Sequence, residues 1–311
     1  MMKSYETQIQ QLFDYLVAIA PSKKRERFLL EDLFETEDED AEDLGIELQS
    51  WSNAAPELYM KAQGLSENEC KVVRMLLLQA LLEEMPAKPF CGRLSQLLPL
   101  VASKGGIREQ LDVIKMFIPG SRLRQNAVVQ VKGAILGGDP RVQLTPKALT
   151  GMLGELVFPL LGLELFAEPA QEVPQEERMS GGLLIKCSLD RAPFVASTLA
   201  MLCRGMAWKA PKELDVDALP HELLETAFAH HGGLLVLEEE GDYMSSTLHK
   251  LARRFPVIQL VDAKNVLRIQ VLASSKETGT QLKSRLRQLL SRSSGDGQAT
   301  KLPELEIQWK A

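Results

Sequence analysis

The sequence predicts an α/β protein in which a helical domain ending in a β-hairpin precedes a parallel sheet domain covered by helices. Residues 51–156 show the helical spacing of apolar side chains. Residues 182–272 alternate short apolar strands with helices, which is the pattern of a parallel sheet with both faces covered. Residues 167–181 lie between these regions and contain two Pro, four Glu and two Gln, a composition typical of a linker.

Composition excludes several classes of protein. The chain has 311 residues, of which 45% are apolar and 25% are charged, as in an average globular protein. No run of about 18 apolar residues is present, so the sequence predicts no membrane span. The start, MMKSYETQIQ, lacks the basic flank and apolar run of a secretory signal, which favours a cytoplasmic location.

The cysteine and histidine positions predict no metal site. The cysteines are Cys70, Cys91, Cys187 and Cys203, and their spacing fits no CxxC pattern. The four histidines form no HExxH motif. In a cytoplasmic protein we expect these cysteines to be reduced and buried.

Charge is distributed unevenly along the chain. The formal net charge is −6, yet residues 1–50 carry 5 basic and 13 acidic side chains, whereas residues 51–150 carry 13 basic and 8 acidic ones. Ten acids lie in residues 31–47, which contain no base. Mutual repulsion predicts a solvated linker at least over Glu35–Asp43, and a contact surface for a basic partner is the alternative. Residues 1–47 are therefore expected to form N-terminal helices and an acidic linker.

The middle part, residues 48–166, is predicted to combine helices with a small hairpin. Ser66 and Glu69 form a capping-box pattern before an apolar helical run. Farther along, a Val-rich strand begins near Asn126, and residues 141–144 can pair back on it after a turn. Helices followed by such a hairpin are typical of a winged-helix domain.

The first strand–helix connection of the C-terminal part is where a nucleotide-binding loop would lie. Such a loop needs glycines, so that backbone N–H groups can wrap the phosphates, and a Lys for the β and γ charges. Residues 187–193 contain no Gly and no Lys, and Asp190 places a carboxylate where phosphates would bind. Arg191 and the helix N-terminus could still attract an anion. We therefore do not expect tight phosphate binding, and a turn collapsed around Leu189 or Phe194 would exclude it.

A second candidate site follows the apolar strand at residues 234–237. Glu238 and Glu239 stand at its carboxyl end, where one carboxylate can hold Mg²⁺ and another can orient a water. The plainer interpretation is that acids end a strand at the surface, and without a phosphate loop we favour it. The GxSxG motif that supports a Ser-His-Asp triad is absent.

Three stretches of the C-terminal part, GGLLIKC, LPHELLETAFAHH and GGLLVLEEEGD, follow one another in an order that resembles the core of an AAA+ ATPase. LLVLEE resembles the acidic strand motif of that family, with Glu in place of the usual Asp, and VIQLVDAKN resembles its sensor strand with Asn265 at the tip. The stretch LQSWSNAAPELYMKAQGLSENECKVVRMLLLQALLEE and the hairpin region resemble the helical and winged-helix region before the core in one bacterial AAA+ group. The resemblance implies a P-loop-NTPase-like sheet domain at residues 180–311.

The resemblance and its departures together imply a degenerate AAA+ protein. Because the glycines and the Lys of the phosphate loop are missing, we expect hydrolysis to be lost while the subunit-contact surfaces remain. The leading hypothesis is a non-catalytic scaffold or regulatory subunit whose protein partner is an active AAA+ ATPase or a larger bacterial multi-subunit complex, and a homo-oligomer is a further option. No cofactor is expected, and weak ATP or ADP binding is the alternative. The residues of that degenerate nucleotide site would be Ser188, Asp190, Arg191, Glu238, Glu239 and Asn265.

A second functional hypothesis is a winged-helix regulator that binds nucleic acid. Basic side chains cluster around the predicted hairpin, where they would contact phosphates: Arg122, Arg124, Lys132 and Arg141. The net charge of the whole chain and its acidic flank argue against this hypothesis.

Overall fold

The chain forms two compact units. The computed structural model describes residues 5–19, 53–82, 92–102, 106–135, 138–169, 182–238, 250–262 and 267–271. Their contacts divide the chain into Met1–Val157 and Phe158–Ala311. Within the described ranges, no helix is both long enough and apolar enough to cross a membrane.

The first unit is mainly helical. Its helices are Tyr5–Ile19 (α1), Ala55–Ala62 (α2), Glu67–Leu82 (α3), Leu94–Val101 (α4), Ile107–Lys115 (α5), Arg122–Gln125 (α6) and Pro146–Leu153 (α7), followed by a 3-10 turn at Gly154–Leu156. The predicted capping box of α3 is confirmed. The Glu69 carboxylate accepts hydrogen bonds from the N–H and the hydroxyl of Ser66, both at 2.8 Å, and the Ser66 hydroxyl accepts the Glu69 N–H at 3.4 Å.

A small antiparallel sheet completes the first unit. Its strands are Gly92–Arg93 (β1), Val129–Lys132 (β2) and Arg141–Leu144 (β3), in the spatial order β1-β3-β2. The predicted hairpin is confirmed as the β2–β3 pair, and the two-residue strand β1 joins its outer side. Val142 and Leu144 of β3 are buried on one face of the sheet, while on the other face Arg141 is exposed and Gln143 is buried.

The second unit is built on a six-stranded mixed sheet. Its strands are Glu164–Ala167 (β4), Leu183–Ser188 (β5), Ala207–Lys209 (β6), Leu234–Glu238 (β7), Pro256–Val261 (β8) and Leu267–Val271 (β9), in the order β4-β6-β7-β8-β5-β9. The helices around it include Ala192–Cys203 (α9) and His221–His231 (α10), and the short helix Val157–Leu160 (α8) precedes β4. The predicted α/β class is therefore confirmed.

The sequence predicted a parallel sheet, but the observed sheet is parallel only in its centre. The central strands β6, β7, β8 and β5 are parallel, but β4 is antiparallel to β6 and β9 is antiparallel to β5. Five residues separate the end of β8 at Val261 from the start of β9 at Leu267. A parallel crossover needs about a dozen residues or more, so this connection is too short and the chain must turn back.

Two short strands extend the sheet beyond the sequence prediction. The predicted helix at residues 192–206 ends at Cys203, where Arg204 adopts a left-handed conformation with φ 51°, and the chain then enters β6. Gly232 approaches this turn closely with φ 81°, and a Cβ at that position would overlap the Cys203 carbonyl. Strand β4 pairs with β6, so the sheet includes a stretch that the sequence analysis had placed in the middle part.

Each face of the sheet packs against its own apolar layer. The layer beneath α9 is made of small and aliphatic side chains, including Ile185, Val195, Leu199, Val236 and Ile258. A second cluster is aromatic: Phe158 stacks on Trp208 with ring centroids 4.9 Å apart and contacts Phe228 at 4.8 Å. This packing fixes where the carboxyl ends of the central strands lie.

Candidate functional site

The carboxyl ends of the parallel strands meet at one edge of the sheet, and this is where ligands bind in open α/β sheets. Ser188 ends β5 beside Val261 of β8, while Glu238 ends β7 beside Leu260 of β8. Ser188 and Glu238 are thus two strand spacings apart, or about 10 Å. We call this region, the ends of β5 to β8 with the turn at residues 189–191, the carboxyl edge.

The connection from β5 to α9 is a tight turn. The Arg191 N–H donates a hydrogen bond to the Ser188 carbonyl at 3.1 Å, and the Arg191 carbonyl accepts the Val195 N–H at 3.1 Å as α9 begins. One N–H of the turn, that of Arg191, is therefore already used inside the turn and does not face an anion.

The side chains of the turn face outward. Leu189 and Phe194 are 45% and 44% exposed. Of the two alternatives for this loop, a turn filled by Leu189 or Phe194 is not observed, and the turn is closed by its own backbone hydrogen bond. Asp190 is also exposed, whereas the Ser188 side chain is buried and its hydroxyl has no hydrogen-bond partner in the described part of the chain.

Cys187 lies beneath this turn as an unreactive thiol. Burial and, after it, the nearby Asp190 carboxylate raise the pKa of the Cys187 thiol to about 12, with Arg191 acting in the opposite direction. The thiol donates a weak hydrogen bond to the Ser188 carbonyl at 3.4 Å. Because the nucleophile is the thiolate, Cys187 serves the core and not nucleophilic chemistry.

Glu238 is held by two lysines. Its Oε2 accepts a hydrogen bond from Lys209 Nζ at 2.8 Å, and its Oε1 lies 3.0 Å from Lys212 Nζ. These bonds, first from Lys209 and then from Lys212, hold the pKa of the Glu238 carboxyl below its usual value. Both oxygens are occupied by cations, so a Mg²⁺ ion at this carboxylate would meet two ammonium groups.

Four of the six candidate nucleotide-site residues are brought to the carboxyl edge: Ser188, Asp190, Arg191 and Glu238. Glu239 and Asn265 lie outside the described residues. Within the described ranges, no three His, Cys, Asp or Glu side chains are grouped to hold a metal ion. Sequence reasoning missed Lys209, because the three-residue strand β6 gives no periodic signal, and Lys212, which lies in the turn after it.

The four basic residues proposed for nucleic acid have different roles in the first unit. Arg122 donates to the Gly64 carbonyl and lies 3.7 Å from the Glu69 carboxylate, so it fixes the start of α3. Arg124 is half-buried. Lys132 and Arg141 are exposed and stand directly opposite each other on β2 and β3.

Arg93, which sequence reasoning missed, extends this pair. It stands opposite Arg141 on the other side of β3, so three cations lie in one row across the three strands. We call Arg93, Arg141 and Lys132 the cation row. The position of Arg93 follows from the register in which β1 pairs with β3, and the periodicity of a two-residue strand does not predict that register.

The chain matches no protein-family model, no curated protein and no solved structure.

Proposed function

We propose that this chain is a non-catalytic AAA+-like scaffold or regulatory subunit that acts through protein contacts, with an active AAA+ ATPase or a larger bacterial assembly as its partner. The observation that supports this most is the state of the carboxyl edge. The position of a phosphate loop is a tight turn closed by the hydrogen bond between Ser188 and Arg191. Glu238, at the end of the acidic strand β7, is paired with Lys209 and Lys212. Residues 187–193 include neither the glycines nor the Lys with which the resembled family holds a triphosphate.

The electrostatics of the edge favour this proposal over weak nucleotide binding. A triphosphate at the turn would lie beside the exposed Asp190 carboxylate and would find the Arg191 N–H already bonded. To use Lys209 and Lys212, it would have to displace Glu238 from both. Displacing Glu238 from the two lysines would remove charge-assisted hydrogen bonds that the folded protein already makes.

Exposed apolar side chains at the same edge support a protein contact. Leu189 and Phe194 flank the turn, and both expose nearly half of their surface. Large apolar side chains at an exposed, rigid position are typical of the centre of protein interfaces. A partner subunit would therefore cover the edge at which a nucleotide binds in an active enzyme.

If the chain is non-catalytic, ATP with Mg²⁺ should neither bind to it nor be hydrolysed. Isothermal titration of the full chain should show no heat of binding, and ATP with Mg²⁺ should leave the melting temperature unchanged, because a ligand that binds only the folded state raises it. Glu238→Gln should lower the melting temperature by a few degrees through loss of the lysine contacts. Glu213→Gln, an exposed loop acid, is the matched control.

Micromolar ATP binding together with turnover that Glu238→Gln abolishes would overturn the proposal. The proposed protein contact is tested by affinity isolation from the source cells. One isolation uses the unaltered full chain and the other uses the double variant Leu189→Asp/Phe194→Asp. We expect an AAA+ ATPase or a defined complex to be retained by the unaltered chain and lost with the double variant. Retention by both chains would assign the contact to another surface.

The cation row favours winged-helix nucleic-acid binding as a second candidate function. Lys132 and Arg141 are exposed and form no ion pair with any described residue. Phosphate contacts by such side chains supply most of the sequence-independent affinity for DNA. The same contacts make binding depend steeply on salt.

For this second function, Lys132→Ala/Arg141→Ala should lower the affinity for a short DNA duplex about tenfold and reduce the slope of log K against log salt by about two. Fluorescence anisotropy over a salt series measures both. Lys71→Ala removes an exposed cation from α3 and is the control. Equal slopes for both variants would exclude the cation row as a phosphate-binding surface.

A further inference from the structure

The first unit contains a cavity of about 500 Å³ whose lining includes no residue of the carboxyl edge or of the cation row. It lies between α1, the start of α2, and the end of α7 with the 3-10 turn that follows it. All of the described residues that line it belong to the first unit. Small-molecule sites in proteins have volumes of about 300–1,000 Å³, so the cavity is large enough to hold a compact ligand.

The floor of the cavity is apolar. Four aliphatic side chains form it, of which the first three are buried and the last is half-buried: Leu12, Met152, Leu153 and Leu156. Tyr15 also lines the cavity, and because its hydroxyl donates to the Glu57 carboxylate at 2.6 Å, it offers mainly its ring to a ligand. An alkyl or aryl group that packs on this floor would leave water and gain contacts with the aliphatic side chains.

The rim of the cavity is polar and carries a negative charge. The amide side chains of Gln8, Gln11 and Asn53 line it, and Asp14 is the only charged residue among the described residues of the lining. Asp14 is exposed, and its Oδ1 accepts a hydrogen bond from the Gln10 amide at 2.9 Å. It forms no ion pair with a described residue, so its charge is available to a cation that enters the cavity.

We propose that this cavity binds a small amphiphile with an apolar body and one cationic group, whose cation lies at Asp14 and whose body packs on the apolar floor. The rim decides the sign of the ligand, because an anionic group would be repelled by the Asp14 carboxylate. The volume decides against a partner helix, since two turns of an α-helix, about 10 Å wide and about 11 Å long, need more space than the cavity offers. The inference does not depend on the AAA+ resemblance, because the cavity and the carboxyl edge belong to different units.

NMR of the full chain, labelled with ¹³C in its methionine methyl groups, tests the proposal with simple probes. The probes are n-octylamine, 1-octanol and octanoate, which share an alkyl body and differ in the charge of the end group. Met152 reports on the floor of the cavity, Met152→Leu assigns its signal, and Met206 of the second unit is the internal control. We expect a saturable shift of the Met152 signal alone, with octylamine binding about threefold more tightly than 1-octanol and octanoate binding most weakly.

Two variants separate the charge of the rim from the shape of the cavity. Asp14→Asn should lower the affinity for octylamine about threefold, to that of 1-octanol, and leave the affinity for 1-octanol unchanged. Asp112→Asn alters an exposed acid of α5 that does not line the cavity, and this matched control should change neither affinity.

The absence of a saturable Met152 shift at millimolar octylamine would overturn the proposal, and so would a shift that Met206 shares, since that indicates unspecific binding. Equal octylamine affinities of Asp14→Asn and Asp112→Asn would refute a cationic ligand. A Met152 signal that moves with protein concentration in the absence of any probe would assign the cavity to a second copy of the chain and would refute a small-molecule site.

Discussion

Glu57→Ala should lower the free energy of unfolding of the first unit by about 3 kcal/mol, because it leaves a buried guanidinium without its carboxylate. Glu57 Oε1 accepts hydrogen bonds from the Tyr15 hydroxyl at 2.6 Å and from Arg74 Nε at 2.7 Å, and Oε2 accepts from Arg74 Nη2 at 2.8 Å. The Arg74 and Glu57 side chains are only 16% and 14% exposed. This cluster ties α1, α2 and α3 together, so its loss loosens three helices. Hydrogen exchange of the α3 amides measures the effect within the first unit.

The matched control is Glu67→Ala, since Glu67 is 82% exposed and lies 3.6 Å from Lys71 at the start of the same helix α3. We expect its cost to stay below about 1 kcal/mol, as for other surface ion pairs. Tyr15→Phe removes one of the three hydrogen bonds to Glu57 and should fall between the two. Equal protection of α3 in Glu57→Ala and Glu67→Ala would contradict the assigned role of the cluster.

The same cluster predicts how stability depends on pH. Burial raises the pKa of the Glu57 carboxyl, but the hydrogen bonds from Arg74 and Tyr15 and the Arg74 charge outweigh it, so the pKa lies below the usual value of 4.5. The contribution of Glu57 is therefore present above pH 4.5 and is lost as the pH falls through the lowered pKa. Glu57→Gln should flatten this acid limb of the stability curve and leave its shape near neutral pH unchanged.

Features set by neighbouring residues could be predicted from the sequence. The capping box at Ser66 and Glu69 and the hairpin around residues 141–144 follow from local patterns, and both are present. The sequence left open whether Leu189 fills the turn after β5, and in the structure that side chain is 45% exposed. Local patterns therefore predict short-range hydrogen bonds better than they predict where side chains point.

Features set by pairing across the chain could not be predicted. The lysine contacts of Glu238 depend on the register between β6 and β7, and β6 is three residues long, too short for a period-2 pattern. The cation row likewise depends on β1, a two-residue strand. Such short strands form because neighbouring strands position them, and a single sequence does not show which strands become neighbours.

Trp208→Ala should lower the free energy of unfolding of the second unit by about 4 kcal/mol, because it opens a large cavity in the aromatic cluster. Trp208 is 1% exposed and stacks on Phe158 at 4.9 Å, and its strand lies between β4 and β7. The same strand presents Lys209 to Glu238, so the variant should also loosen the carboxyl edge and make the buried Cys187 thiol react faster with a disulfide reagent.

The control is Phe194→Ala, which removes an aromatic ring of the same unit that is 44% exposed. This variant should change the unfolding free energy by less than about 1 kcal/mol. If urea unfolding and thiol reactivity respond equally to the two variants, the aromatic cluster does not hold β6 in place, and the position of Lys209 beside Glu238 must come from the hydrogen bonds between strands alone.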